Sequence, residues 1–124
     1  MKYVLVLLGF SFSTFLFCQN EAERVIKSVE ISEIKAEIKN HDFMLLDVRT
    51  PEEFSAGHLE NAVNINYYDQ DFTERISALQ KQKKIIVYCA AGGRSSQALK
   101  KLDELGFQYV LNMEGGYNGW KAQQ

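Results

Sequence analysis

Proline occurs once in the 124 residues and cysteine twice. No proline- or glycine-rich linker therefore divides residues 21–124, and two cysteines allow at most one disulfide, too few for a disulfide-stapled miniprotein. Basic charge is not in excess: 14 Lys and Arg stand against 16 Asp and Glu, for a net charge of −2. Without a basic face to neutralise phosphates, nucleic acid is not an expected partner. Histidine is as scarce. His41 and His58 lie far apart in sequence and no Cys/His spacing typical of a metal site occurs. The longest apolar run, Val4 to Phe17, falls short of the roughly 20 residues that cross a bilayer.

What is present is the balance of a globular core, with 46% hydrophobic and 24% charged residues. The length fits one domain. At the N-terminus, Lys2, the apolar run to Phe17 and the polar exit Cys18-Gln19-Asn20 form the tripartite pattern of a secretory signal. This reading assigns residues 1–18 to a signal peptide, 19–27 to a lead-in and 28–124 to the domain. It implies export to a periplasm or the medium, with no stable membrane insertion after cleavage. An uncleaved anchor is the alternative. A lipid on Cys18 is a further one, against which the bulk of Phe17 argues. With residues 1–18 removed, Cys89 has no intramolecular partner, so it is buried and inert, paired between chains, or reactive.

Strand and helix signals alternate along the rest. Ser28 to Ile31 reads as a short strand, and a helix opens at Ser32 with Ile34 and Ile38 on one face. Phe43 to Val48 has the continuous apolar character of a strand covered on both sides. Thr50-Pro51-Glu52-Glu53 combines a cap, a proline at the first helical position and a capping box, and Gly57 ends that short helix. Ala62 to Ile65 is a further strand. A helix framed by Asp71 and Glu74 has Phe72, Ile76 and Leu79 as its stripe. Ile85 to Tyr88 is the strongest β segment. Ser95 to Leu105 forms a helix stopped by Gly106, Tyr109 to Leu111 the last strand, and Gly115-Gly116 leads into a closing helix with Trp120. Such alternation implies an α/β fold with a central parallel sheet of about five strands and helices on both faces.

Cys89 ends the strongest strand, where open parallel sheets bind ligands. Ala90, Ala91, Gly92 and Gly93 follow it, and Arg94, Ser95 and Ser96 open a helix. The glycines allow a tight turn whose N–H groups converge on one concavity, and the helix start adds its positive end. A thiol held there is stabilised as thiolate and becomes a nucleophile, with Ala90 and Ala91 small enough to leave the sulfur accessible. The plain alternative is a small apolar residue closing a buried strand. A cation such as Arg94 is disfavoured at a helix start, which implies a partner, either a carboxylate or an anionic substrate.

The segment Cys89 to Ser95 resembles the active-site loop of single-domain rhodaneses, the sulfurtransferases. Leu46-Asp47-Val48-Arg49-Thr50-Pro51-Glu52-Glu53-Phe54 through Gly57-His58 to Ile65 is similar to that family's second signature, and Glu114 to Trp120 to its closing segment. The resemblance runs from about Val29 to Trp120. It implies that Cys89 takes sulfane sulfur from a small anionic donor such as thiosulfate as a persulfide, then passes it to cyanide, a thiol or a protein acceptor. The backbone of Ala90, Ala91, Gly92, Gly93 and Arg94 would hold the substrate, Arg94 orienting the donor or bracing the loop, with no metal or organic cofactor. By the same resemblance Asp47 accepts hydrogen bonds that hold neighbouring loops, Arg49 pairs with Glu53, Ser95 supports the loop, and His58 is structural. Tyr67 and Tyr68 are placed near the rim, and His41 in a solvated turn.

Two rivals remain. A phosphatase or arsenate reductase also sets a cysteine and an arginine around an anion loop, but only four residues separate Cys89 from Arg94, where related phosphatases carry five. A carrier or interaction module that forms the persulfide without turnover is the other.

Overall fold

The structure, a computed structural model, describes residues 22–124. The expected signal peptide and Cys18 lie outside the described residues. The elements are β1 (Val25–Val29), α1 (Ile31–Asn40), β2 (Met44–Asp47), α2 (Pro51–Ser55), β3 (Val63–Asn64), α3 (Phe72–Ser77), β4 (Lys84–Tyr88), α4 (Gly93–Glu104), β5 (Tyr109–Met113) and α5 (Gly116–Ala122). All strand pairings are parallel, in the order β1-β5-β4-β2-β3. The α/β class and the five-stranded sheet agree with the alternation in the sequence.

Strand β4 is central because its side chains are apolar in both directions. Ile85 and Val87 join Leu46, Phe72, Ile76, Ala98, Leu102 and Val110 in one core, beneath α3 and α4. Ile86 and Tyr88 point the other way, among Ile31, Ile34, Leu111 and Met113, with Trp120 packed alongside. Helices thus cover both faces, which is what a parallel sheet built from right-handed crossovers requires.

The first strand lies earlier than expected, at Val25–Val29, so that the lead-in supplies strand residues and Ile31 opens α1. This is an edge strand with two exposed positions, and its half-polar pattern hides it. Ile38 turns out at a cavity rim, 36% exposed, while Ile34 is fully buried. Helix α4 begins at Gly93, two residues before Ser95, and so takes Arg94 into its first turn. Asp71 precedes α3 without a side-chain cap bond.

Connections from β2 run outward to β3, whereas those from β4 run the other way to β5. The C-terminal ends of β2 and β4 therefore flank the point where strand order reverses, the crevice in which such sheets bind ligands. Asp47 to Thr50 leave one of these ends, and Cys89 to Gly92 the other.

Candidate functional site

Backbone carbonyls decide the shape of the Cys89 loop. The Cys89 carbonyl accepts from the Tyr117 N–H at 2.8 Å, and the Ala90 carbonyl from the Asn118 N–H at 3.0 Å. The Gly92 carbonyl accepts from Ser96 Oγ at 2.7 Å and the Ser96 N–H at 3.0 Å. In a trans peptide the N–H points opposite the carbonyl, so each carbonyl held outward turns an N–H inward. Gly92 makes the last turn possible with φ of 115°, a region side chains rarely enter.

The shortest bond to the sulfur comes from the remaining loop peptide, Ala91–Gly92. Cys89 Sγ accepts from the Gly92 N–H at 3.0 Å and lies 3.4 Å from the Ser95 hydroxyl. Burial pushes the thiol up, but hydrogen bonds from Ser95, Gly92 and Ala91 outweigh it, and the net pKa lies below the usual thiol range. Ser95 is fully buried, at the foot of a helix whose positive end faces the same space.

The expectation of an accessible sulfur needs correction. Cys89 is only 1% exposed, because the loop amides and Ser95 close around it. It lies on the wall of an open cavity of about 430 Å³, with Tyr67, Tyr68, Ala90, Ala91, Gly93, Arg94 and Gln97 as the other lining residues. A reagent meets the sulfur there by way of the cavity. Cys89 is also the free cysteine among the described residues, which carry no disulfide partner for it.

The second correction concerns the ion pairs. Arg49 does not pair with Glu53. Its guanidinium lies against Asp47, Nη2 to Oδ2 at 2.6 Å, donates to the Gly57 carbonyl at 2.7 Å, and sits 4.4 Å from the Tyr117 ring centre. Two residues apart at the end of β2, Asp47 and Arg49 close this bond locally and are buried as a neutral unit. The bonds given for the Asp47 carboxylate all come from Arg49, and it is Arg49 that reaches the Gly57 carbonyl after α2 and the Tyr117 ring of α5.

Glu53 is left for Arg94, which it meets in a two-pronged bond of 2.6 and 3.0 Å. The same carboxylate accepts from Thr50 in the capping box of α2. Arg94, with Thr50 assisting, holds the Glu53 carboxyl down at about 2. The arginine thus braces the loop against α2.

His58 bonds the Phe54 carbonyl through Nδ1 at 2.8 Å and stacks on the Phe54 ring at 3.7 Å. His41 is exposed, 3.7 Å from Glu37. Among the described residues no three of His, Cys, Asp and Glu gather as metal ligands. A larger cavity of about 850 Å³ lies beside α1 and α5, with Phe43, His58 and Trp120 on its walls, but it does not include Cys89. Sequence reasoning missed Ser96, Tyr117, Asn118 and Gln97. The Gly115-Gly116 pair was the available signal for two of them. A Cβ on Gly116 would stand 2.5 Å from the carbonyl oxygens of Cys89 and Ala90, so only glycine lets α5 come close enough to hold them.

Compared with known proteins, residues 30–123 match the family described as Rhodanese-like domain. The chain is 38% identical over 115 residues to thiosulfate sulfurtransferase 16, chloroplastic, of Arabidopsis thaliana, covering 81% of this chain and 91% of that protein. It is 41% identical over 85 residues to the mitochondrial protein HIGH ARSENIC CONTENT 1 of the same plant, covering 60% of this chain and 50% of that one. Among solved structures, a rhodanese-related protein from Thermoplasma volcanium superimposes with a TM-score of 0.69 at 32% identity, over 78% of this chain and 92% of that one.

Proposed function

Since the chain belongs to the Rhodanese-like domain family, we propose that it moves sulfane sulfur from a donor to a thiophilic acceptor through a persulfide on Cys89. The Cys89 thiolate attacks the outer sulfur of a donor such as thiosulfate. A sulfur–sulfur bond forms to Cys89, the donor's own sulfur–sulfur bond breaks, and sulfite leaves with the electron pair. The persulfide anion then rests among the loop amides. A nucleophile such as cyanide, a thiol or a protein thiol attacks its outer sulfur, and the bonding pair returns to Cys89 as thiolate. This is covalent catalysis in two half-reactions.

One observation carries the reading: the loop carbonyls of Cys89 and Ala90 are tied to the start of α5, while the Gly92 N–H bonds the sulfur at 3.0 Å. Fixed dipoles of this kind stabilise an anion without rearranging as it forms. Ala90, Ala91, Gly93 and Arg94 supply the rest of the cradle, and Ser95 its floor. The phosphatase alternative is disfavoured by a loop of four residues between Cys89 and Arg94 and by the engagement of Arg94 with Glu53.

A thiosulfate–cyanide assay tests the proposal. Thiocyanate formation lost in Cys89→Ser supports it, and equal rates in the variant and the natural sequence overturn it. One sulfur transferred per chain without turnover favours the carrier reading. Export of the protein rests on the pattern of residues 1–18, and the mass of the mature chain from the cell envelope tests that.

A further inference from the structure

Among the described residues, Arg94 is the one charged residue on the wall of the Cys89 cavity. Its charge is paired with Glu53 through one N–H of each terminal nitrogen, and its guanidinium carbon lies 5.5 Å from the Tyr68 ring centre. An anionic donor entering the cavity therefore meets amide dipoles and an arginine already paired with a carboxylate; the Lys101 ammonium, 5.6 Å from the Tyr67 ring centre, is not on the wall. Of the rest of the wall, Tyr67, Tyr68, Ala90 and Ala91 offer carbon surface, Gly93 adds backbone and Gln97 an uncharged amide, and Tyr68 stands 66% exposed at the rim. A volume of about 430 Å³ lies within the roughly 300–1,000 Å³ range of sites for organic ligands.

Charge accounting separates two kinds of donor. Attack on thiosulfate brings a thiolate against a dianion and leaves a persulfide anion beside departing sulfite. Attack on an organic thiosulfonate, R–SO2–S⁻, forms the same Cys89 persulfide and releases the sulfinate R–SO2⁻, with one negative charge fewer throughout. A site without an unpaired cation on its wall favours the second, and the tyrosine wall gives R a place to lie.

Building on the sulfurtransferase reading of Cys89, we propose that Glu53 sets donor specificity: by cancelling the Arg94 charge it makes the site prefer monoanionic, carbon-bearing sulfane-sulfur donors over the thiosulfate dianion. Glu53 touches neither donor. It acts through Arg94, as a positioning residue.

The test compares kcat/KM for benzenethiosulfonate and thiosulfate, with cyanide as acceptor, in the full chain and in Glu53→Gln. The glutamine keeps an oxygen for the Thr50 cap and removes the charge. The natural sequence is expected to favour benzenethiosulfonate. Glu53→Gln shifts the ratio toward thiosulfate about tenfold, the worth of one freed charge-assisted bond, with the change in KM for thiosulfate. That shift disappears in the Glu53→Gln, Arg94→Gln double variant. An unchanged ratio in Glu53→Gln overturns the proposal, as does a shift that survives loss of Arg94.

A second measurement needs no variant. With no unpaired cation on the cavity wall and a chain of net charge −2, kcat/KM for thiosulfate holds or rises as salt is added, because screening weakens repulsion. A steady fall with salt means an unpaired cation draws the donor in, and overturns the proposal. Failure of both donors to load Cys89 overturns the sulfurtransferase reading itself, together with this one.

Discussion

At the scale of single residues, the site is a contest between burial and hydrogen bonding at one sulfur. Burial alone would keep Cys89 a thiol. The Ser95 hydroxyl and the N–H groups of Gly92 and Ala91 reverse the outcome. Alkylation by iodoacetamide requires thiolate, so its rate against pH should have a midpoint below that of a free thiol. Ser95→Ala removes a donor, moves that midpoint upward and slows alkylation at neutral pH about tenfold. An unmoved midpoint would show that the amides alone hold the charge. Glu53 makes a second prediction at this scale. Its folded pKa of about 2 lies below the ordinary 4.5, so the pair with Arg94 contributes stability that is fully present above pH 4.5. That contribution is lost as pH falls through about 2. The melting temperatures of the natural chain and Glu53→Gln should therefore differ at neutral pH and converge toward pH 2; a constant gap contradicts this.

At the scale of elements, α5 is a clamp as much as a helix. Its first turn presents N–H groups to the carbonyls of Cys89 and Ala90, and Gly116 permits the approach. Gly116 also has φ of 58°, unfavourable for a side chain. Gly116→Ala should thus displace the loop, lowering sulfur transfer at least tenfold and stability by about 1–3 kcal/mol. Normal activity and melting in this variant would show that the clamp is dispensable. Much of this level was legible in the sequence. Thr50, Pro51 and Glu53 announce α2 because cap, first-turn proline and capping box act within four residues, and the structure has all three. The Arg94–Glu53 bond was not legible, since it spans 41 positions. Arg49, only four residues from Glu53, is the nearer candidate on local grounds. What diverts it is Asp47, whose position beside Tyr88 in the parallel register brings the whole β2 end against the β4 end. Strand β1 was misplaced for a related reason: an edge strand takes its identity from its neighbour, here β5.

At the scale of the whole molecule, the sheet exists to hold two strand ends side by side. Its apolar layers give the rigidity that fixed dipoles need. Leu102, fully buried on α4 beneath β4 and β5, is part of the layer that seats the helix carrying the loop. Leu102→Ala should cost about 2–5 kcal/mol in denaturant unfolding, without altering any group at the sulfur. A cost near zero would mean α4 is held by its loop and not by its packing. The family's fold and the Cys89 loop were both readable in advance because they depend on local patterns of strand, small residues and helix start. How buried the sulfur is, and which amides reach it, depended on α5 returning from the far end of the chain. The central claim is that Cys89 carries sulfur covalently. Incubation with a sulfane-sulfur donor followed by intact-mass measurement tests it most directly. The account predicts a gain of one sulfur atom on Cys89, removed by cyanide with matching thiocyanate. An unchanged mass, in a protein whose Cys89 still reacts with iodoacetamide, would contradict it.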